Sequence, residues 1–377
     1  MDAYLTGAAG QLLDRARSLN ARIPRNLPRE FHALAATCRA EVQRVIDQLR
    51  AVLSDPAMLL PANRSARLRG FRRAVEDLDL VETVGFAALE RSHPEDRRLN
   101  RLMDEIRLEI AYPLLPPVVT ALSQSYFHIY PAFNLLCVPL AEGRFLLHLP
   151  DLYHEIAHPL IAEQNNPAVE AFQAAMYRAL EAALLHVDAE AAAEQGRRGP
   201  IHMQFAIDCW GRSWLHWAVE FFCDLFGAYT VGPGYAWSHL HLCAKRGGDP
   251  FEVPLRGTHS HPADAARMTA ILKGLARIGF STEAGRVRER WDEFTVVCGA
   301  TREPEFTRCF PDRLLDGICD EALAGVRAIG CRVAGPTTAD PVYRLLNAAW
   351  DEFWRDPAGY GAWEQKAVDD LFVEVAA

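Results

Sequence analysis

The run Leu152-Tyr153-His154-Glu155-Ile156-Ala157-His158 contains the pattern H-E-x-x-H. On a helix, residues four apart share a face about 6 Å from one another, so both imidazoles can reach one ion. Glu155, beside the first histidine, can then hold and deprotonate a water activated by that ion. Zinc suits two neutral imidazoles and a carboxylate, with a fourth position left open. With 13 histidines in 377 residues, chance supplies roughly 0.03 copies of the pattern. The neighbours Leu152, Tyr153, Ile156, Ala157 and Leu160 are uncharged, as a buried metal helix requires. The plain alternative is a helix with two ordinary histidines. Pro159 lacks an N–H and its ring presses on the carbonyl of Glu155, so the helix is expected to kink or stop there, with both ligands before the break.

A catalytic zinc needs a third protein ligand. The segment His216-Trp217-Ala218-Val219-Glu220-Phe221-Phe222-Cys223-Asp224-Leu225-Phe226-Gly227 lies in a strongly apolar predicted helix. Two carboxylates four apart in such surroundings are costly unless a metal or a paired donor compensates them. Glu220 would complete two histidines and a carboxylate, with His216 as the reserve ligand. Asp224, one turn on, would accept the ring N–H of a liganding histidine and fix its tautomer. The alternative is a buried structural Glu/Asp pair.

H-E-x-x-H followed some 60 residues later by E-x-x-x-D on an apolar helix resembles the gluzincin branch of the zincin metallopeptidases. The run from Glu220 to Ala228 is similar to the E-x-x-A-D-x-x-A element of the peptidase family of the CAAX prenyl proteases and heat-shock HtpX-type proteases. His259-Ser260-His261-Pro262-Ala263-Asp264-Ala265-Ala266-Arg267 resembles that family's S-H-P-P-x-x-x-R element, and all three stand in the family's order. The resemblance covers about 110 residues, Tyr153 to Arg267, and implies a zincin-like core holding one zinc per chain. It makes His154, His158 and Glu220 the ligands, Glu155 the general base, Asp224 the orienter of a ligand histidine, and His261 a neighbour of the substrate oxyanion. Further candidate oxyanion or substrate contacts are His259, Tyr229 and Tyr235. The implied substrate is a peptide or protein. Cys223 replaces the family's alanine, Pro159 is unusual, and the family's membrane helices are missing, so a prenylated or membrane-embedded substrate is not supported. Two alternatives stand beside the peptidase: a zinc-bearing helical scaffold that acts by binding a partner, and a metal-dependent hydrolase of a non-peptide amide. An inactive scaffold has no need of a general base such as Glu155.

The elements that must position these residues read as mainly helical. Apolar 3/4 spacing runs through Leu12–Ile23 and Phe31–Leu49, with further helices expected at Arg64–Arg91 and Pro94–Ile110. Later helices are predicted at about 150–163, 167–196, 203–231, 234–246, 262–278, 281–298, 307–329, 340–355 and 360–375. Phe133–Leu140 and Arg144–Pro150, around the turn Ala141-Glu142-Gly143, read as a β-hairpin whose edge would receive an extended substrate. Expected regions are an N-terminal helical 1–112, a metal-binding core 113–280 and a C-terminal helical 281–377. The stretch Arg246–Pro262 is the one substantial expected loop.

Charge and composition narrow the function classes. Lys and Arg total 40 against 49 Asp and Glu, a net −9, the wrong sign for a phosphate-backbone binder. Arg64, Arg67, Arg69, Arg72 and Arg73 read as a solvated face balanced by Glu76, Asp77, Asp79 and Glu82. No run approaches the ~18 apolar residues of a membrane span. Nine cysteines without a C-x-x-C pair, and a start lacking a signal peptide, fit a reduced, cytoplasmic setting. His148 reads as a strand residue, while His239 and His241 alternate on a predicted helix and read as structural.

Overall fold

The computed structural model describes residues 2–91, 94–123, 126–139, 145–196 and 201–374. The protein is mainly helical with one three-stranded sheet. Two compact units are distinguished: Met1–Arg101 with Pro117–Leu140, and Leu102–Pro116 with Ala141–Ala377. The expected core 113–280 therefore contributes to both units, and 281–377 belongs to the same unit as the H-E-x-x-H segment.

The first unit holds α1 (Asp2–Arg22), α2 (His32–Ser54), the short α3 (Pro56–Leu59), α4 (Arg64–Leu80), α5 (Ala87–Glu90) and the start of α6 (Pro94–Glu109). A π-helical turn, Val81–Phe86, joins α4 to α5. On α2, Leu34, Ala35, Cys38, Val42, Val45, Ile46, Leu49 and Val52 are all buried, the stripe that their spacing predicts. Arg67 corrects the reading of its cluster. It is buried in α4 and donates to the Val52 carbonyl at 2.9 Å and to Thr6 Oγ1 at 2.9 Å. Arg64 reaches Asp2 at 2.7 Å rather than the acids of its own helix.

The sheet consists of β1 (Val118–Ser123), β2 (His128–Tyr130) and β3 (Leu135–Pro139), in the order β1-β3-β2. β3 runs parallel to β1 and antiparallel to β2. The expected hairpin does not form. β3 is paired on both sides and has no free edge for a substrate, while Phe145–Pro150 is a succession of turns. The N–H groups of His148, Asp151, Leu152 and Tyr153 donate to carbonyls three residues back. An uninterrupted apolar run such as Leu146-Leu147-His148-Leu149 looks alike in a buried strand and at the start of a buried helix. The expected turn 141–143, with Arg144, lies outside the described residues. On the outer side of β1, Asn100 and Asp96 bond Val119 and Ala121, which occupies the strand's open edge.

The second unit contains α7 (Asp151–Glu155), α8 (Ala157–Ala162), α9 (Glu170–Gly196), α10 (Ile201–Val231), α11 (Pro233–Arg246), α12 (Asp264–Arg277), α13 (Ser281–Val297), α14 (Pro304–Cys309), α15 (Asp312–Ala328), α16 (Pro341–Arg355) and α17 (Tyr360–Glu374). The expected helix 307–329 is split at Phe310-Pro311, because a proline pushes its predecessor out of helical geometry. α10 is the axis of this unit. Trp210, Trp214, Trp217, Phe221, Phe222 and Phe226 are fully buried along it, and its C-terminal half, almost wholly buried from Trp217 on, needs neighbours on every side. Those neighbours include α7, α8, α9, α12 and α15. All nine cysteines are unpaired, and only Cys298 is exposed. Among the described residues, no helix is long and apolar enough to cross a membrane.

Candidate metal centre

Asp224, on α10, is completely buried and accepts four hydrogen bonds. Arg267 of α12 donates to it twice, Nε to Oδ2 at 2.7 Å and Nη2 to Oδ1 at 2.6 Å. The Tyr235 hydroxyl donates to Oδ1 at 2.6 Å, and His154 Nδ1 lies 2.9 Å from the same oxygen. Burial alone would raise the Asp224 pKa, but the Arg267 charge and these donors hold it well below the usual carboxylate range. Asp224 is thus an anion, and His154 must carry its proton on Nδ1 to satisfy it. Tyr235 arrives because the chain reverses at Gly232, with φ of 74°, and Pro233 then starts α11. Its ring lies flat on α10 at Gly227, where a Cβ would come within 2.9 Å of Tyr235 Cδ2.

With Nδ1 committed, Nε2 is the His154 nitrogen left to take either a metal ion or a second proton. That atom lies 3.3 Å from His158 Nε2 and 3.4 Å from Glu220 Oε2. Two ligands about 2.0–2.1 Å from a tetrahedral zinc stand about 3.3 Å apart, so both separations match one edge of a zinc coordination sphere. A hydrogen bond between the imidazoles can satisfy the first pair. It leaves Glu220 Oε2 buried and without a hydrogen-bond partner, a costly arrangement for a carboxylate. Arg267 Nη2 is 4.0 Å from that oxygen and His261 Nε2 3.6 Å. Two of the three edges of a His154–His158–Glu220 donor set thus have the length a zinc ion requires.

The electrostatics have the same sense. Burial opposes a charged His154 ring, yet the Asp224 and Glu220 carboxylates outweigh it and raise the pKa to about 10. His158 is pushed down to about 4, first by burial and then by the neighbouring His154. Burial also opposes ionisation of Glu220, but His154 and Arg267 bring it to about 2. A cation is drawn to this point, and His158 keeps a free lone pair there.

The H-E-x-x-H segment departs from expectation in one respect. The break falls at Ile156, between the two histidines, with His154 on α7 and His158 on α8. Pro159 supplies no N–H for the Glu155 carbonyl, which is four residues back and ends α7. Pro159 itself sits in the first turn of α8, where a missing N–H costs nothing. Tyr112 donates to the Ile156 carbonyl at the break, at 2.8 Å. The two rings meet across the bend at 74° with centroids 5.1 Å apart.

His154, His158, Glu220 and Asp224 are thus brought together. Glu155, at the end of α7, is half-buried, and its charge is felt at the Cys223 thiol. His261 is 52% exposed at the rim, with Nδ1 2.9 Å from Ser260 Oγ; burial lowers its pKa. Tyr235 is not beside the Nε2 atoms; it braces Asp224 and the Nδ1 side of His154. Tyr229 is buried and donates to the Cys319 carbonyl at 2.7 Å, which takes it out of the candidate substrate contacts. His259 is half-buried and its backbone N–H is tied to Ser213 Oγ. His216 is exposed, so Glu220 and not His216 stands next to His154.

Two residues went unassigned by sequence reasoning. Arg267 is the cation that a buried Asp224 requires, and its own setting, Ala265-Ala266-Arg267-Met268, marks it as an arginine inside an apolar helix. Cys223 is the other. Donor atoms of His154, His158 and Cys223 lie within 4.8 Å of one another. Burial and the Glu220 and Asp224 carboxylates push its thiol pKa well up, so it is a neutral thiol. No protein-family model, no curated protein and no solved structure matches this chain.

Proposed function

We propose that the chain is a zinc-dependent peptidase whose ion is held by His154, His158 and Glu220. The observation that carries this reading is the buried, unpartnered Glu220 Oε2 beside His154 Nε2, itself 3.3 Å from His158 Nε2. A zinc ion there supplies Lewis acidity and a water of lowered pKa. Asp224 keeps the proton of His154 on Nδ1, so that Nε2 presents its lone pair, and Arg267 and Tyr235 keep Asp224 in place. Glu155 takes a proton from the attacking water and returns it to the departing amine nitrogen. His261, exposed and 3.6 Å from Glu220 Oε2, donates to the substrate carbonyl oxygen as charge builds on it. The resemblance of the H-E-x-x-H and E-x-x-x-D elements to gluzincins supports the same assignment.

Cys223 favours a second reading. If its thiol joins His154, His158 and Glu220, four protein ligands close the tetrahedron and the site is structural, as in a scaffold. The deciding experiment measures zinc content and cleavage of a peptide library by the wild type, His154→Ala, Glu220→Ala, Cys223→Ala and Glu155→Gln. The peptidase reading expects about one zinc at this site, lost in the first two variants and kept in Cys223→Ala. Cleavage should vanish in Glu155→Gln with the zinc retained. Loss of zinc in Cys223→Ala, with no cleavage by the wild type, would establish the scaffold instead.

A further inference from the structure

One face of α11 carries Tyr235, His239 and Cys243 at four-residue intervals. Tyr235 serves Asp224; the other two meet Asp264, the first residue of α12. Donor atoms of His239, Cys243 and Asp264 lie within 4.8 Å of one another. His239 Nε2 is 3.7 Å from Cys243 Sγ and 3.5 Å from the Asp264 carbonyl oxygen. A nitrogen at about 2.0–2.1 Å and a sulfur at about 2.3 Å from a tetrahedral zinc are about 3.6 Å apart. His239 is 1% exposed, so the Nε2 that faces Cys243 and Asp264 is cut off from bulk water. Asp264 is half-buried and gives an ion a way in.

We propose that His239, Cys243 and Asp264 form a second metal site, suited by its nitrogen, sulfur and oxygen donors to a zinc-like divalent ion. Its role follows from what it joins. It ties α11 to α12, and these helices supply Tyr235 and Arg267, the groups that hold Asp224 against His154. The ion is structural and stiffens the support of the first centre. This inference stands without the peptidase reading, since no residue is shared between the two donor sets.

The test is metal stoichiometry on the full chain, stripped with chelator and reloaded with zinc, and in parallel with cobalt, whose thiolate charge-transfer absorption reports a cysteine ligand. The wild type should bind two zinc ions, and His158→Ala, Cys243→Ala and Asp264→Asn one each. The cobalt–thiolate band should survive Cys223→Ala and vanish in Cys243→Ala. A wild type with one ion that Cys243→Ala and Asp264→Asn retain would overturn the inference, as would a thiolate band indifferent to Cys243→Ala. A wild type with one ion that Cys243→Ala loses and His158→Ala keeps would uphold this site and sink the first. Asp264→Asn, a half-exposed isosteric change, and the wild-type band decide the matter should Cys243→Ala fail to fold.

Discussion

Replacing Arg267 with methionine probes the deepest support of the candidate metal centre. Methionine keeps most of the side-chain stem, so little cavity is created, but both hydrogen bonds to Asp224 and the compensating charge are lost. Arg267 is 4% exposed and Asp224 not at all, so water cannot replace the guanidinium. Removing one partner of a buried, hydrogen-bonded pair costs about 3–5 kcal/mol, because the other charge is left uncompensated. With an m-value of about 3 kcal/mol/M in urea, the unfolding midpoint should fall by about 1–1.7 M. Tryptophan fluorescence is the suitable probe. All eight tryptophans, Trp210, Trp214, Trp217, Trp237, Trp291, Trp350, Trp354 and Trp363, belong to the unit that contains the pair. The double variant Arg267→Met/Asp224→Asn should lose less than the two single variants added together, since it removes the stranded charge as well. A midpoint drop below about 0.3 M, or a strictly additive cycle, would refute the claim that this pair is buried and mutually dependent.

Tyr235→Phe removes the 2.6 Å donor to Asp224 and should lower zinc affinity about 10-fold or more, the usual cost of losing outer support. Activity at saturating zinc should recover, whereas a tyrosine that touched the substrate would leave kcat depressed at full occupancy. Gly227→Ala drives a methyl to within 2.9 Å of the Tyr235 ring and should cost about 1–3 kcal/mol, read as a lowered thermal midpoint; an unchanged midpoint contradicts the close packing. His154, raised to about 10, sits above its unfolded value of about 6.5. In zinc-stripped protein its contribution to stability is fully present below pH 6.5 and is lost as pH rises towards 10. Zinc takes the place of that proton, so zinc affinity should climb over the same window; an affinity flat from pH 6.5 to 9 would contradict the assignment.

Most helices are legible because each buries a stripe that repeats every three or four residues, as on α2, and this stripe is a local property. The sheet is not legible on the same terms. The β1–β3 pairing joins Val118 to Leu135 in parallel, across a connection that no local pattern encodes. The break at Ile156 shows a mixed case. Pro159 announces that a break occurs, but its place depends on where the Glu155 carbonyl loses its donor and where Tyr112 takes up the Ile156 carbonyl. Glu220 and Asp224 could be picked out because i, i+4 spacing on one helix brings them to one face, and His154 and His158 because the same spacing still brings their rings together across the break at Ile156. Tyr235 is legible as a candidate but not in its role, since its position is set by the reversal at Gly232. Arg267 could be recognised as a buried cation, whereas its partner is a matter of how α12 packs on α10.

Charge balance bears on the proposed choice between an ion and a proton at this point. Asp224 and Arg267 cancel one another, which leaves Glu220 as the uncompensated carboxylate beside His154 Nε2. One proton on His154 restores neutrality, and the raised His154 pKa expresses that demand. Such a proton lies along one direction, so it serves either His158 Nε2 or Glu220 Oε2 but not both well. A divalent ion at His154 Nε2 would meet both neighbours at separations they already have from that atom, 3.3 Å to His158 Nε2 and 3.4 Å to Glu220 Oε2. His158 contributes by staying neutral: burial and the neighbouring ring hold it to about 4, so its lone pair is available above about pH 4. The competition at His154 Nε2 is therefore between a metal ion and a proton, and it would turn in favour of the ion as the pH rises.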